Sequence, residues 1–400
     1  MADGVFMWPS FGNVHVVRDG GELLLFDTGS ARTAQLLATA LGDRFTEPVT
    51  TAVYSHGHID HTMGTGPFET ERRLTVIAQE GVGPRFDRYR LTRGYNAVIN
   101  RRQFQLPGLT WPADYRYPDV TYRDAMTLRH GGTELRLRHV KGETDDATVA
   151  WLPRQRVLAC GDMFIWAFPN AGNPQKVQRH PLEWAQGLRW MAGLDAEVLL
   201  PGHGMPIAGA DRVRRALLDT AQALLTLHDR TLEMMNAGAS LDEIVHTVKA
   251  PAELLERPYL RPSYDEPEFV VRNVWRLYGG WYDQDPAALR PAPKDAAARE
   301  LAALAGGARV LAARARDLLA EGELRLAAQL VETAHRADPG EEEVERARVE
   351  VYSALEKDAT SVMTRGVYSW TANDSRARLN GRTPEEELAA RAEGRLRWAL

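Results

Sequence analysis

The segment from residue 56 to residue 61 carries four side chains that can bind metal ions. These are His56, His58, Asp60 and His61, and they follow an apolar segment, residues 51–54, that is typical of a buried strand. Neutral imidazoles suit zinc, iron or manganese, whereas carboxylates suit harder ions. Because a short turn can divide such a set between two adjacent cations, we expect two divalent metal ions, with zinc as the predicted element.

Three more ligand candidates stand singly, each directly after a glycine and soon after a predicted strand. They are Glu143, Asp162 and His203, and their strands are residues 135–139, 157–160 and 198–200. A preceding glycine lets the backbone approach a crowded ion, and strand ends are where α/β sheets place their sites. We therefore predict that these side chains complete the two metal sites. His139 is the alternative ligand to Glu143.

The hydrophobic pattern predicts the elements that hold these turns in place. It predicts strands at residues 14–17 and 23–26 that form a hairpin, a helix at 31–41, and a strand at 148–152. Amphipathic helical segments follow at 211–237, 241–248 and 268–278. Residues 80–122 are rich in Arg, Tyr and Pro with weak periodicity, which predicts a long insertion over the site rather than part of the core.

A Pro/Ala linker at residues 291–293 precedes a segment dominated by Ala, Leu, Arg and Glu. Breaks at Gly322 and Pro339 predict a tetratricopeptide-like helix pair followed by a third helix, at residues 311–321, 326–337 and 341–355. A single such pair cannot bury its own apolar face. We expect it to pack on the catalytic domain or on another subunit, with a plain helical cap as the alternative.

Length and composition exclude several classes of protein. The 400 residues are 44% apolar and 26% charged, which fits a folded, soluble chain of two domains. A net charge of −5 gives no global sign of nucleic-acid binding. The single cysteine, Cys160, excludes an internal disulfide and a thiolate cluster. Without a secretory start or a run of 18 apolar residues, we predict a cytoplasmic protein that does not insert into membranes.

Taken in order along the chain, these motifs resemble the metallo-β-lactamase superfamily over roughly residues 10–210. An Asp-Thr-Gly that begins at Asp27 ends an early strand, and the histidine cluster, the turn at residue 143, an Asp between two strands and a late Gly-His follow. The resemblance implies an αββα sandwich. It also implies that one metal is held by His56, His58 and Glu143, the second by Asp60, His61 and His203, with Asp162 bridging and Asp27 orienting a ligand.

Glu143 stands where most members of the superfamily have His, and a glutamate here is a feature of the alkylsulfatase branch. Residues 95–104 and 270–285 also resemble that branch, although its bridging carboxylate is usually Glu and here is Asp162. The resemblance implies a metallo-β-lactamase-like catalytic domain with a helical extension at 1–265, an all-α dimerisation domain at 266–380, and a C-terminal helix or tail at 381–400. We expect a homodimer built on the region after Val270, whose aromatic run at 275–282 needs a partner.

The segment after Asp162 has an apolar half, residues 163–169, that we expect to contact an alkyl or aryl group. Its polar half supplies the predicted ligands of an anionic ester, Asn170, Asn173, Lys176 and Arg179. No acidic residue stands near the two cations before Glu183, so we expect their charge to be available to the substrate.

Together these residues predict a metal-dependent hydrolase of alkyl or aryl sulfate esters. Two bound cations would lower the pKa of a bridging water toward about 7 and so provide a hydroxide. Asp60 is a catalytic candidate as well as a ligand, and His180 is the candidate acid that protonates the leaving oxygen. The alternatives are hydrolysis of a phosphoester, lactone or thioester on the same metals, iron-based redox chemistry, and a non-catalytic dimeric scaffold.

Overall fold

The computed structural model describes residues 2–69 and 73–399. Alternating apolar segments form strands, as expected for backbone half-buried in a sheet. The strands are β1 (Val5–Trp8), β2 (Val14–Asp19), β3 (Glu22–Phe26), β4 (Val49–Val53), β5 (Thr75–Gln79), β6 (Val120–Tyr122), β7 (Ala125–His130), β8 (Thr133–Val140), β9 (Ala147–Leu152), β10 (Val157–Gly161), β11 (Val198–Pro201) and β12 (Ile207–Ala208).

The helices include one turn of 3-10 helix, Gly66–Phe68. The α-helices are α1 (Ala34–Gly42), α2 (Ile59–Thr62), α3 (Val82–Leu91), α4 (Arg93–Phe104), α5 (Pro181–Ala192), α6 (Ala210–Asn236), α7 (Leu241–Thr247), α8 (Ala252–Leu255), α9 (Pro267–Gly279), α10 (Pro286–Leu289), α11 (Lys294–Ala305), α12 (Ala308–Ala320), α13 (Leu324–Ala337), α14 (Glu342–Asp358), α15 (Val362–Leu379) and α16 (Pro384–Ala399). Within the described ranges, no helix is both long enough and apolar enough to cross a membrane.

The chain folds as two compact units. The first is Met1–Arg93 with Pro112–Trp281, and the second is Gly94–Trp111 with Tyr282–Leu400. Helix α9 therefore packs in the first unit, beyond the predicted end of the catalytic region at residue 265. That division into functional regions stays a prediction.

The first unit is a sandwich of two six-stranded sheets. Their strand orders are β1-β2-β3-β4-β5-β6 and β12-β11-β10-β9-β8-β7. Apolar side chains of both sheets, such as Leu24 and Leu137, meet in a core between them. Helices α1 and α3 cover the outer face of the first sheet, and α5, α6 and α9 cover that of the second. The predicted αββα fold is confirmed.

Parallel pairing brings the predicted site residues to one edge of this sandwich. Strands β3 and β4 are parallel neighbours in the first sheet, as are β10 and β11 in the second. Asp27 follows β3, the histidine cluster follows β4, Asp162 follows β10 and His203 follows β11. The carboxyl ends of parallel neighbours lie side by side, so these turns meet.

The expectation of a long insertion at residues 80–122 was wrong. Val82 and Phe86 on α3 are fully buried in the core behind the first sheet. Helix α4 and the residues after it belong to the second unit. The many arginines concealed the helical pattern of buried positions in this part of the sequence. Arg85, for example, occupies a buried position although it is charged.

In the second unit, the predicted helix pair and third helix are confirmed as α12, α13 and α14. Ala315, Val331, Ala347 and Val351 are fully buried in one core, which Ala372 of α15 joins. The pair thus buries part of its apolar face inside its own unit, against α14 and α15, and its packing on another subunit stays a prediction.

Only part of the aromatic run at residues 275–282 is left exposed in the first unit. Trp275 is 5% exposed and packs in the core of the first unit with α5 and α6. The Tyr278 hydroxyl lies 3.1 Å from His228 Nε2. Trp281, by contrast, is 71% exposed.

Candidate metal centre

All seven predicted ligands lie together, in two groups. Within each group, one ligand atom from every residue lies within 4.8 Å of the others. The first group contains His56, His58, Glu143 and Asp162, and the second contains Asp60, His61 and His203. The turn after β4 supplies both groups, as its spacing predicts.

Asp162 lies between the two groups. Its Oδ1 is 3.4 Å from His61 Nε2, and its Oδ2 is 3.3 Å from His203 Nε2 and 3.7 Å from His56 Nε2. A side chain at Gly202 would overlap the Asp162 carboxylate. Glycine is therefore required beside His203 for this carboxylate to reach both groups.

Hydrogen bonds outside the groups set the orientation of three histidine rings. Asp27 Oδ2 lies 2.8 Å from His61 Nδ1, Ser55 Oγ lies 2.9 Å from His56 Nδ1, and His203 Nδ1 donates to the Phe11 carbonyl. Each Nδ1 thus has a partner outside the groups, so in a neutral ring that carries its proton on Nδ1 the Nε2 lone pair faces the group. Such partners fix the tautomer that a metal needs.

Asp27 contacts His61, one of the predicted ligands. Its carboxylate is fully buried and accepts from Ser55 N at 2.6 Å and Ser55 Oγ at 2.7 Å, in addition to the contact with His61. Its φ of 64° lies in the left-handed region, which a non-glycine residue adopts only under constraint. Ser55, which the sequence did not single out, links Asp27 to His56.

The residues fit a pair of cations. Asp162 Oδ1 is buried and accepts no hydrogen bond from any described residue, and His56 Nε2 and His58 Nδ1 face each other at 2.8 Å. Burial raises the pKa of the Glu143 carboxyl to about 8, and the charge of Asp162 adds to the rise while Arg179 opposes it. Burial also lowers the pKa of His56 to about 4, which keeps this imidazole neutral. Crowded carboxylates beside neutral imidazoles suit divalent metals.

Glu143, and not His139, reaches the metal groups. His139 Nε2 lies 2.9 Å from the Asp145 carbonyl, outside both groups. Glu143 is 7% exposed, and its Oε1 accepts from the Asn170 side-chain amide and lies 3.4 Å from Arg179 Nη2. Arg179 also donates to the Glu143 carbonyl.

The expectation that Arg179 has no acidic partner was therefore wrong. Arg179 is 2% exposed, and its guanidinium pairs with Glu143, 36 positions earlier in the chain. Lys176 is half-buried, and burial together with the charge of Arg179 lowers its pKa to about 8. The negative charges that raise this pKa are Glu143 and Asp60, so Lys176 lies close to the metal groups.

The remaining predicted substrate residues divide between the core and the site. Met163, Phe164 and Phe168 are buried in the core behind the second sheet and are not available to a substrate, whereas Trp166 is 36% exposed and donates to the Met205 carbonyl. Asn173 is 2% exposed and its Oδ1 accepts from Gln175 N at 3.0 Å.

His180 directly precedes α5. The charged side chains near it do not belong to either ligand group. Its Nδ1 lies 4.0 Å from Glu183 Oε1, and the further charges that act on it are those of Lys141, Asp145 and Arg179. The structure does not bring His180 into either ligand group.

Sequence reasoning missed two further parts of the site. Asp146 is fully buried, and its Oδ2 accepts from Gly57 N at 3.2 Å and from Arg85 Nε at 2.6 Å, which holds the histidine turn in place. The pair of aspartates directly after Thr144 was the available signal. Tyr264 is the second part: burial, and then the charges of Glu143, Asp60 and Asp162, raise its pKa, so its hydroxyl stays protonated beside the site.

Comparison with known proteins agrees with this geometry. A model of the metallo-beta-lactamase superfamily matches residues 7–203, and a model of alkyl sulfatase dimerisation matches residues 240–378. A linear primary-alkylsulfatase of a Pseudomonas species is 28% identical over 90% of this chain and 73% of its own length. An alkyl/aryl-sulfatase of Saccharomyces cerevisiae is 26% identical over 89% of this chain and 60% of its own.

Among solved structures, a stereoselective inverting sec-alkylsulfatase from a Pseudomonas species matches with a TM-score of 0.85 and 25% identity. The match covers 93% of this chain and 64% of that one. The similarity thus runs through the sandwich and the helical region alike. The chain therefore combines a metallo-beta-lactamase domain, residues 7–203, with an alkyl sulfatase dimerisation region, residues 240–378.

Proposed function

We propose that this protein hydrolyses alkyl or aryl sulfate esters with two divalent cations, and that these are zinc. The observation that carries the proposal is the pair of adjoining ligand groups, with Asp162 between them, in a chain whose similarity to alkylsulfatases covers 90% of its length. A scaffold without catalytic activity would not need seven such side chains in register.

In this proposal His56, His58 and Glu143 hold one cation, Asp60, His61 and His203 hold the other, and Asp162 contacts both. When bound, the cations supply a nucleophile from water at neutral pH and stabilise charge on the ester. Hydrogen bonds from the ring Nδ1 groups to Asp27, Ser55 and the Phe11 carbonyl hold the imidazoles with Nε2 toward the metals. Asn170 and Arg179 hold the Glu143 carboxylate.

The substrate's anionic group is assigned to the segment before α5. Lys176 and Arg179 supply positive charge there, and Asn170 and Asn173 supply amide groups. Part of the charge of Arg179 is neutralised by Glu143. The proposal therefore assigns the larger share of the attraction for the sulfate group to Lys176. Deprotonation of Lys176 above its lowered pKa would weaken its attraction for a sulfate group.

His180 is proposed as the acid that protonates the departing oxygen. Replacing it with Gln should lower kcat for alkyl sulfates, whose alkoxide leaves poorly, far more than for nitrophenyl sulfate, whose phenolate needs no proton. Tyr264→Phe is the matched variant, because its protonated hydroxyl also lies beside the site. If His180→Gln retains full kcat on both substrates and Tyr264→Phe does not, the acid role belongs to Tyr264.

The function itself is tested by metal analysis and a substrate panel. We expect about two zinc ions per chain and turnover of short, long, secondary or aryl sulfate esters, measured as released sulfate. The panel includes phosphate esters, lactones and thioesters. An Asp162→Asn variant serves as the control for contaminating activity. Turnover of a neutral ester with none of any sulfate ester would contradict the proposal.

We also propose a homodimer, supported by the match to the alkyl sulfatase dimerisation model over residues 240–378. Exposed apolar side chains of α11 to α13, Leu301, Leu304, Val310 and Leu326, provide a surface for it. Light scattering after size exclusion at micromolar concentration should give twice the chain mass of 44.6 kDa. A monomeric mass at this concentration would contradict the proposal.

A further inference from the structure

The segment between β10 and α5 is buried at both ends of residues 169–179, although residues 169–180 form neither helix nor strand. Asn170, Asn173 and Arg179 are each 2% exposed. Buried irregular backbone requires partners for its own polar groups, and those partners determine its path. Whatever holds this segment therefore determines where Asn170 and Arg179 meet Glu143.

The end of the segment is held by two side chains of α9, Asn273 and Arg276, of which Arg276 Nε donates to Gln178 Oε1 at 2.9 Å. Asn273 Nδ2 donates to the Arg179 carbonyl at 3.1 Å, and Asn273 Oδ1 accepts from Arg179 N at 3.3 Å. The Gln178 side chain adds a bond to Asn273 Oδ1 at 2.9 Å. Asn273 is 4% exposed, so water does not compete for its amide. The amide thus pairs with both polar groups of the residue that carries the guanidinium.

The middle of the segment is held by the residues that lead into α9. Gly172 N donates to Asp265 Oδ2 at 2.8 Å, and Asp265 Oδ1 accepts from Glu266 N at 2.9 Å. Asp265 is fully buried. Any side chain at Gly172 would overlap the backbone of Phe269. The segment and the start of α9 are therefore in direct backbone contact.

We propose that Asn273 and Asp265 are positioning residues for sulfate-ester hydrolysis, an inference that rests on the proposed function. They touch neither substrate nor metals, and they act by holding the segment so that Asn170 and Arg179 stay on Glu143. Both lie within residues 240–378, the range of the dimerisation model. That region thus completes the anion-binding side of the site in addition to any part in assembly.

The test uses the full-length, metal-loaded protein with Asn273→Ala, and Arg272→Ala as the matched control. Arg272 is the neighbouring residue on the exposed side of α9, where it pairs with Glu268 at 3.3 Å. Hydrogen–deuterium exchange of peptides covering residues 169–180 should speed up at least tenfold in Asn273→Ala, because two hydrogen bonds to the Arg179 backbone are gone, and should not change in Arg272→Ala.

Kinetics on a sulfate ester supply the second readout. Loss of two hydrogen bonds that position the segment should raise KM about tenfold in Asn273→Ala, with a smaller change in kcat and with unchanged metal content and oligomeric mass. Gln178→Leu weakens the same attachment from the segment's side and should shift both readouts in the same direction. It keeps the test decisive if Asn273→Ala does not fold.

Two outcomes would overturn the proposal. One is unchanged exchange at residues 169–180 in both attachment variants, and the other is faster exchange with an unchanged KM. Failure of the proposed function looks different, because the wild type would then cleave no sulfate ester while the exchange result would still report how the segment is held.

Discussion

Replacement of Asp27 by Asn tests how the protein prepares its histidines for metal. Asn also tolerates the left-handed backbone that Asp27 adopts, so the main chain should be unaffected. The amide retains one acceptor oxygen but places an NH2 group where Oδ2 now faces Ser55 Oγ and His61 Nδ1. His61 then loses the partner that holds its proton on Nδ1, and the other tautomer places a hydrogen on the nitrogen that faces the metal.

The expected magnitude follows from the contacts that are lost. Two of the three hydrogen bonds that the Asp27 carboxylate accepts cannot be accepted by an NH2 group. Mutation of a residue that hydrogen-bonds to a metal ligand typically lowers metal affinity or activity by about 10-fold to 100-fold. The loss should be larger for the cation assigned to Asp60, His61 and His203, which Asp27 reaches through His61 directly. The other cation should lose less, because Asp27 reaches its ligand His56 only through Ser55.

The assay is a titration of metal-free protein with zinc in competition with a chromophoric chelator, which resolves two dissociation constants. Asp119→Asn is the matched control, because Asp119 also accepts a backbone N–H, from Val76 N at 2.9 Å, but lies outside both ligand groups. The reasoning is refuted if Asp27→Asn binds both zinc ions as tightly as the wild type. Equal weakening of both sites would also refute the assignment of His61 to one cation.

Three further predictions concern residues of the same site. Glu143→Ala should lower metal content and activity together, whereas His139→Ala should leave both unchanged; a fully metallated, active Glu143→Ala protein would contradict the ligand assignment. Lys176→Met should reduce kcat/KM about tenfold or more with little change in melting temperature. Arg179→Met should also lower the melting temperature, because the buried guanidinium loses its contacts with the Glu143 carboxylate and carbonyl, and equal melting temperatures for the two Met variants would contradict this. Since Lys176 is charged only below its pKa of about 8, KM for a sulfate ester should rise as pH increases through that value, and Lys176→Arg should abolish the rise.

The sequence predicted the ligand cluster well because its signals are local. Four ligands within six residues, and a glycine before each of the other three, are visible without knowledge of any contact. Strand ends were equally visible, because the apolar segments before Asp27 and Asp162 stop abruptly at a polar residue. The parallel pairing of those strands then brought the turns together.

Contacts between distant segments could not be predicted in the same way. Charge on Arg179 gave no sign that it would be buried on Glu143, and the apolar residues after Asp162 suit a core as well as they suit a substrate. Arg85 and Asp146 stand 61 positions apart, and their pairing depends on the packing of α3 behind the first sheet. Such choices depend on which surfaces meet, and residue types alone do not specify that.

The interrupted course of the chain has a consequence for synthesis on the ribosome. Gly94–Trp111 belongs to the second unit, but the remainder of that unit begins only at Tyr282, after the 170 residues of Pro112–Trp281 have been made. At about 5–20 residues per second this is a wait of about 10–30 s. During it, Ala97 and Ile99 of α4, which are buried in the finished protein, lack their later neighbours. The nascent protein therefore exposes the otherwise buried face of α4 while its αββα sandwich is completed, and a chaperone that binds exposed apolar side chains would be expected to act there.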